Sequence, residues 1–225
     1  TGPAGYLALG LSIATAGAVG PVVGRWSLAS AALANLYSHP KVAWKGSALG
    51  GPFVNAVGYG VLSPFAGWWA SEAPLTWRAV VTLALTVSFM LGLYFAAQAF
   101  QGVEDRERGY GTLVVTHGSG WTLKVARLLI GVAVLALLTL SALGVYPRAL
   151  LVSLPAWIWT HRHLARWAAL PSGGTGRHAG QLVGRLSVGV LLVLFAVYAA
   201  HFGGMALGAP PGGCGTAIVP DAAGC

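Results

Sequence analysis

With 56% hydrophobic and only 8% charged residues, a chain of 225 residues cannot clothe a water-facing surface, because soluble domains carry about 25% charged residues. Its formal net charge of +8 is accounted for by anionic lipid headgroups. No patch of interleaved basic and aromatic residues calls for a nucleic acid partner, so the composition points to an integral membrane protein.

A bilayer core takes about 20 apolar residues per helix. Apolar runs predict an all-α polytopic membrane helix bundle with about seven spans, at 4–20, 24–37, 50–70, 78–100, 121–143, 147–163 and 182–204. No signal-peptide pattern precedes the first run. Gly20-Pro21, Pro40, Pro74, Gly109 to Gly120, Pro147 and Pro171 to Gly176 punctuate the gaps. In the third span Asn55 and Tyr59 are four apart and share a helix face. They bond across helices or line a pocket for an acceptor. Pro64 and Pro155 fall inside spans and predict kinks. Most of the nine Trp stand at span ends as an interfacial belt.

Alternate connections carry Lys41 and Lys45; Arg106, Arg108, Lys124 and Arg127; and Arg162, Arg166, Arg177 and Arg185. The opposite side has Arg25, Arg78 and Arg148. Lys and Arg collect on the cytoplasmic side, so loops near 38–48, 101–120 and 164–181 are expected to face the cytoplasm. His161 and His163, two apart, do not share a helix face and read as a polar helix end. The glycine-rich stretch 171–177 lacks the Gly-Lys-Ser/Thr of a phosphate loop. Residues 1–207 form the membrane domain, and 208–225 a Pro/Gly-rich tail expected to be disordered. The tail holds Cys214 and Cys225, on the side where a disulfide can form.

Five acidic residues occur in the whole chain, and Glu104, Asp105 and Glu107 fall within one short polar loop. Glu104-Asp105-Arg106-Glu107-Arg108-Gly109-Tyr110-Gly111-Thr112-Leu113 resembles the second acidic motif of the UbiA superfamily of intramembrane prenyltransferases. Asp105, Arg106, Gly109, Thr112 and Leu113 fall in register with its D-x-x-x-D-R-x-x-G-x-x-T-L pattern. Leu36-Tyr37-Ser38-His39-Pro40, followed by Lys45, resembles the family's L-Y-S-x-P segment, and the likeness runs from about residue 4 to 204.

The resemblance implies a membrane enzyme that moves a prenyl group from a prenyl diphosphate to a hydrophobic acceptor: an aromatic ring, a quinone precursor or another lipid. Carboxylates hold Mg²⁺, which bridges to phosphate oxygens. It places Asp105 at the catalytic centre, with Asp105, Glu104, Gln101 and Gln98 as Mg²⁺ ligands. Lys41, Lys45 and Arg106 are expected on the diphosphate, and Asn55, Tyr59 and Tyr37 at the acceptor or prenyl pocket. At Gln98 and Gln101 the family usually has carboxylates. Its first motif, N-D-x-x-D, is absent from this sequence. The seven spans match the last seven of the family's nine, so that motif is expected upstream of Thr1. The alternative is a non-catalytic isoprenoid-binding or transport protein of the same fold.

Overall fold

The computed structural model describes residues 3–39, 41–71, 73–170 and 174–206. Among them the secondary structure is helical, with one isolated bridge between Ser47 and Gly111. The tail with Cys214 and Cys225 lies outside the described residues.

Helical segments occupy all seven predicted places. Helix α1 (Pro3–Val19) and α2 (Pro21–Ser38) meet at Gly20. Pro21 opens α2, where its missing N–H leaves no bond unmade. The two helices touch through glycines: a Cβ on Gly24 would stand 2.9 Å from the Cα of Gly17. Next come α3 (Gly50–Asn55), a π-helical stretch (Ala56–Leu62) and α4 (Ser63–Ala70), which run on as one helix. Pro64 sits in the first turn of α4, where it has no N–H to donate. The wider winding just before it takes up what the sequence suggested as a kink.

Helix α5 (Trp77–Gln98) starts at a Thr76 cap whose side chain accepts from the Ala79 N–H. The predicted 101–120 loop contains two short helices, α6 (Gly102–Glu107) and α7 (Leu113–His117). Helix α8 (Ser119–Ala142) follows, then a 3₁₀ segment (Arg148–Ser153), α9 (Leu154–Ala168) and α10 (Gly176–Ala206). Pro155 stands in the first turn of α9, where the 3₁₀ segment passes into α. Helices α5, α8 and α10 are long and apolar enough to cross a membrane, with mean hydropathies of 2.0, 2.3 and 2.2. The remaining spans are shorter or interrupted.

Helices α5 and α8 pack closely against each other. Gly92 permits it, since a Cβ there would lie 2.5 Å from Ile130 and 3.0 Å from the Ala126 carbonyl oxygen. Ser88 Oγ crosses to donate to the Leu129 carbonyl at 2.9 Å. Small residues and interhelical hydrogen bonds of this kind drive association where lipid removes the hydrophobic force between helices. Phe95, Leu123, Ile130, Leu164, Trp167 and Leu182 are among the buried core residues. Leu128 and Leu135 face outward, as lipid-facing positions do.

Helix α8 ends in a Schellman turn. Gly144 has φ +78°; its N–H donates to the Ser141 carbonyl and that of Val145 to Leu140. A side chain at a left-handed position costs about 1–2 kcal/mol. Gly144→Ala is therefore expected to lower stability by about 1 kcal/mol. Thermal unfolding of the detergent-solubilised protein measures it, and an unchanged midpoint would refute the strain.

Candidate active site

The acidic motif has a local physical reason for its spacing. Helix α6 is only six residues long and closes in a second Schellman turn. Gly109, at φ +69°, donates to the Arg106 carbonyl, and Tyr110 N–H donates to the carbonyl of Asp105 at 2.9 Å. The glycine four residues after Asp105 is thus the residue that can take the left-handed turn. Once reversed, the chain brings Thr112 back over α6, and its hydroxyl donates to Asp105 Oδ2 at 2.8 Å. Asp105 is 7% exposed and Thr112 1%. A buried carboxylate must keep its hydrogen bonds, and this one is held by a residue seven places along the chain.

The same turn ties the acidic loop to the preceding basic one. Gly111 N–H donates to the Gly46 carbonyl at 2.8 Å, within the Ser47–Gly111 bridge. Gly46 lies under the Tyr110 ring, where a Cβ would meet it at 2.5 Å. Lys45 Nζ lies 5.9 Å from the centroid of that ring, a cation–π contact. Ser47 Oγ accepts from the N–H groups of Leu49 and Gly50 and so starts α3.

A polar cluster lies beneath these loops. The Tyr37 hydroxyl is within hydrogen-bonding reach of Asn55 and within electrostatic range of Asp105, Tyr59 and Tyr110. Tyr94 interacts with Tyr37 and Asp105, and its hydroxyl accepts from Gln98 Nε2 at 2.7 Å. That hydroxyl presses on Gly51, where no side chain fits. Gln98 is 5% exposed, yet its Oε1 has no hydrogen-bond partner. A buried amide oxygen left unpaired costs about 1–3 kcal/mol, and the protein supplies no donor to this one.

The sequence-predicted site residues divide under this geometry. Tyr37, Asn55, Gln98, Asp105 and Lys45 come together. Gln101 is half-buried at the start of α6 and accepts, through its backbone carbonyl, from the Asp105 N–H. Glu104 is exposed, with its carboxylate paired to Arg108 one turn along. Lys41 and Arg106 are also exposed. Tyr59 is 65% exposed, although it lies within electrostatic range of Tyr37 as Asn55 does. Among the described residues no group of three or more His, Cys, Asp or Glu side chains gathers as a ready metal cage. Sequence reasoning did not single out Tyr94, Tyr110 or the role of Thr112. A usable signal was Tyr94-x-x-x-Gln98, two polar side chains on one face of an apolar helix.

Apart from the cluster, an apolar chamber of about 420 Å³ lies between α5, α8, α9 and α10, with residues of the 3₁₀ segment at its edge. Phe89, Val134, Leu137, Trp157 and Val193 are among its walls. Phe89 and Trp157 meet edge to face at 5.7 Å, and Trp157 fits against Gly189 of α10. Met90, another wall residue, precedes Tyr94 by one turn of α5.

A family model described as the UbiA prenyltransferase family matches residues 4–173. The match ends before α10, where the likeness read from the sequence ran on to about 204. No curated protein and no solved structure matches the chain.

Proposed function

The chain belongs to the UbiA prenyltransferase family, and from that premise we propose that it transfers a prenyl group from a prenyl diphosphate to a hydrophobic acceptor with Mg²⁺ assistance. The observation that carries this reading is the Schellman turn that buries Asp105 on Thr112 and joins its loop to Gly46, next to Lys45. It holds one oriented carboxylate in a loop bonded to the loop that carries Lys45, and the protein also has an apolar chamber between α5, α8, α9 and α10.

Asp105 and the unpaired Gln98 Oε1 fit a single Mg²⁺ that is bound largely through substrate. Such sites use one or two carboxylates and complete the coordination with diphosphate oxygens and water. Gln101 stands next to them, while Glu104, engaged by Arg108, is placed further out. The metal would neutralise charge on the pyrophosphate as the allylic carbon–oxygen bond breaks and the electron pair leaves with oxygen. Lys45, with Lys41 and Arg106 at the loop surfaces, adds fixed positive charge toward the same phosphates. Tyr37 and Asn55 border the place where the acceptor meets the allylic carbon, and the acceptor then loses its proton. The chamber takes the isoprenoid tail. On the ten-to-three division of Lys and Arg, this end faces the cytoplasm.

The non-catalytic alternative rests on the neutral Gln98 and Gln101, which leave the cluster with little negative charge. The deciding experiment uses the full-length protein in membranes with a labelled prenyl diphosphate and a mixture of quinone-precursor and lipid acceptors. Label transfer that stops with a chelator and returns with Mg²⁺ supports the enzyme. No transfer, together with saturable binding of the tail, would establish the alternative.

A further inference from the structure

Helices α8 and α9 run antiparallel. Gly120 meets the Ala168 carbonyl oxygen, where a Cβ would stand at 3.1 Å. Two turns along, Arg127 meets His161, and its Nε donates to His161 Nε2 at 2.9 Å. At 1.5 Å per residue, Arg127 stands about 12 Å inside α8 from Ser119, and His161 about 10 Å inside α9 from Ala168. His161 is exposed and Arg127 half-buried, so the pair lies on the outer surface of the bundle. A charge carried this far along an apolar helix calls for a compensating partner. No Asp or Glu occurs between Arg108 and Pro220, so α8, α9 and α10 bring no carboxylate to it. Among the described residues the terminal amino groups of Arg127 have no acceptor.

The imidazole orients the guanidinium. It holds Arg127 through Nε and leaves the edge formed by the two terminal amino groups, which can grip a phosphate with parallel hydrogen bonds. An imidazole that accepts at Nε2 carries its proton on Nδ1. That edge of the ring lies beside Gly131, 3.8 Å from where a Cβ would stand. Lys124, one turn nearer the loop end, and Arg162, next to His161, are exposed cations. Further from the loop end the seam turns apolar: Leu135 on α8 and Ile158 on α9 are 68% and 43% exposed. Cationic donors above an open carbon surface follow the order of groups in a lipid, phosphate first and acyl chain below.

We propose that the α8–α9 seam at Arg127 and His161 binds an anionic phospholipid from the surrounding leaflet. Its phosphate lies on the Arg127 guanidinium, and an acyl chain runs past Gly131 between Leu135 and Ile158. Charge complementarity selects the headgroup. The ammonium of a zwitterionic lipid would lie among Lys124 and Arg162 with no carboxylate to receive it, whereas an anionic lipid supplies the negative charge that these helices lack. The site shares no residue with the Asp105 cluster and does not rest on the transferase reading.

The test titrates dioleoyl phosphatidylglycerol or dioleoyl phosphatidylcholine into the full-length protein in neutral detergent, and native mass spectrometry counts the lipids retained. With several cations at the site, the parent is expected to retain one phosphatidylglycerol about tenfold or more tightly than phosphatidylcholine. Arg127→Ala should abolish that preference. Arg127→Lys keeps the charge but loses the planar fork, and should weaken phosphatidylglycerol by about fivefold. His161→Phe keeps a ring beside Gly131 without the acceptor that orients Arg127, and should weaken it too. Arg177→Ala removes the same charge from an exposed residue at the start of α10 and should leave the preference as it was. Excess glycerol 1-phosphate, a headgroup without acyl chains, should not displace the lipid. Should Arg127→Ala fail to fold, Arg127→Lys and His161→Phe decide. Equal retention of the two lipids by the parent would overturn the site. So would equal losses in the Arg127 and Arg177 variants, which would mean diffuse attraction to positive charge. Displacement by glycerol 1-phosphate would leave a site for small anions and overturn the lipid.

Discussion

Asp105→Asn in the full-length protein is expected to reduce prenyl transfer by about a hundredfold or more while leaving the fold intact. The variant keeps the side chain's size and an oxygen that can still accept the Thr112 hydroxyl. What it loses is the one negative charge buried in the cluster. Gln98 is neutral and Glu104 pairs with Arg108 at the surface, so among the described residues no second buried carboxylate stands beside it. Losing about 3 kcal/mol of transition-state stabilisation corresponds to that rate loss. Glu104→Gln is the matched control, since an exposed pair contributes about 0–1 kcal/mol. The assay is label transfer in membranes across a Mg²⁺ titration. Parental, metal-dependent turnover by Asp105→Asn would remove Asp105 as a ligand and move attention to Glu104.

Thr112→Val should give the second largest effect. Valine matches threonine in shape but takes the donor away from a buried carboxylate. Hydrogen bonds to charged groups are worth about 1.5–3 kcal/mol, so roughly a tenfold loss of transfer or more is expected. The Mg²⁺ concentration for half-maximal rate should shift as well, because an unanchored Asp105 is less well aimed at the metal. Thr112→Ser restores the donor and should recover most of the activity. A stability change alone, with an unaltered metal requirement and no rescue by serine, would show that the bond serves packing only.

The membrane class and the positions of the helices were legible because they depend on apolar length, a property of the sequence summed over many residues. The family likeness was legible in Asp105, Arg106, Gly109, Thr112 and Leu113, although the reason for that spacing was not. It depends on a turn in which Gly109 adopts φ +69° and the backbone of Asp105 accepts from Tyr110. Helices α6 and α7 were missed because six- and five-residue helices carry no periodic signal and exist through their neighbours. Tyr94 looked like one more aromatic in an apolar run; its place beside Gln98 and Gly51 follows from packing between α3 and α5. The π winding from Ala56 to Leu62 was not legible either, since it shows only in the backbone bonds.

That change of winding has a further consequence for the length of the chain. Gly51 meets Tyr94 and Gly60 meets Val87, so both glycines look toward α5. In an unbroken α-helix, residues at this separation would stand about 180° apart around the axis. The i→i+5 winding between them turns the chain less per residue and swings Gly60 back. The segment thus behaves as an α-helix holding one residue more than its contacts require. Loss of a single residue between Ala56 and Leu62 would restore ordinary winding with both glycines still toward α5. The same loss between Val87 and Tyr94 would rotate those partners about 100° apart. At this interface the tolerance for a deletion is therefore lopsided: one helix has slack in its count of residues, and its partner has none.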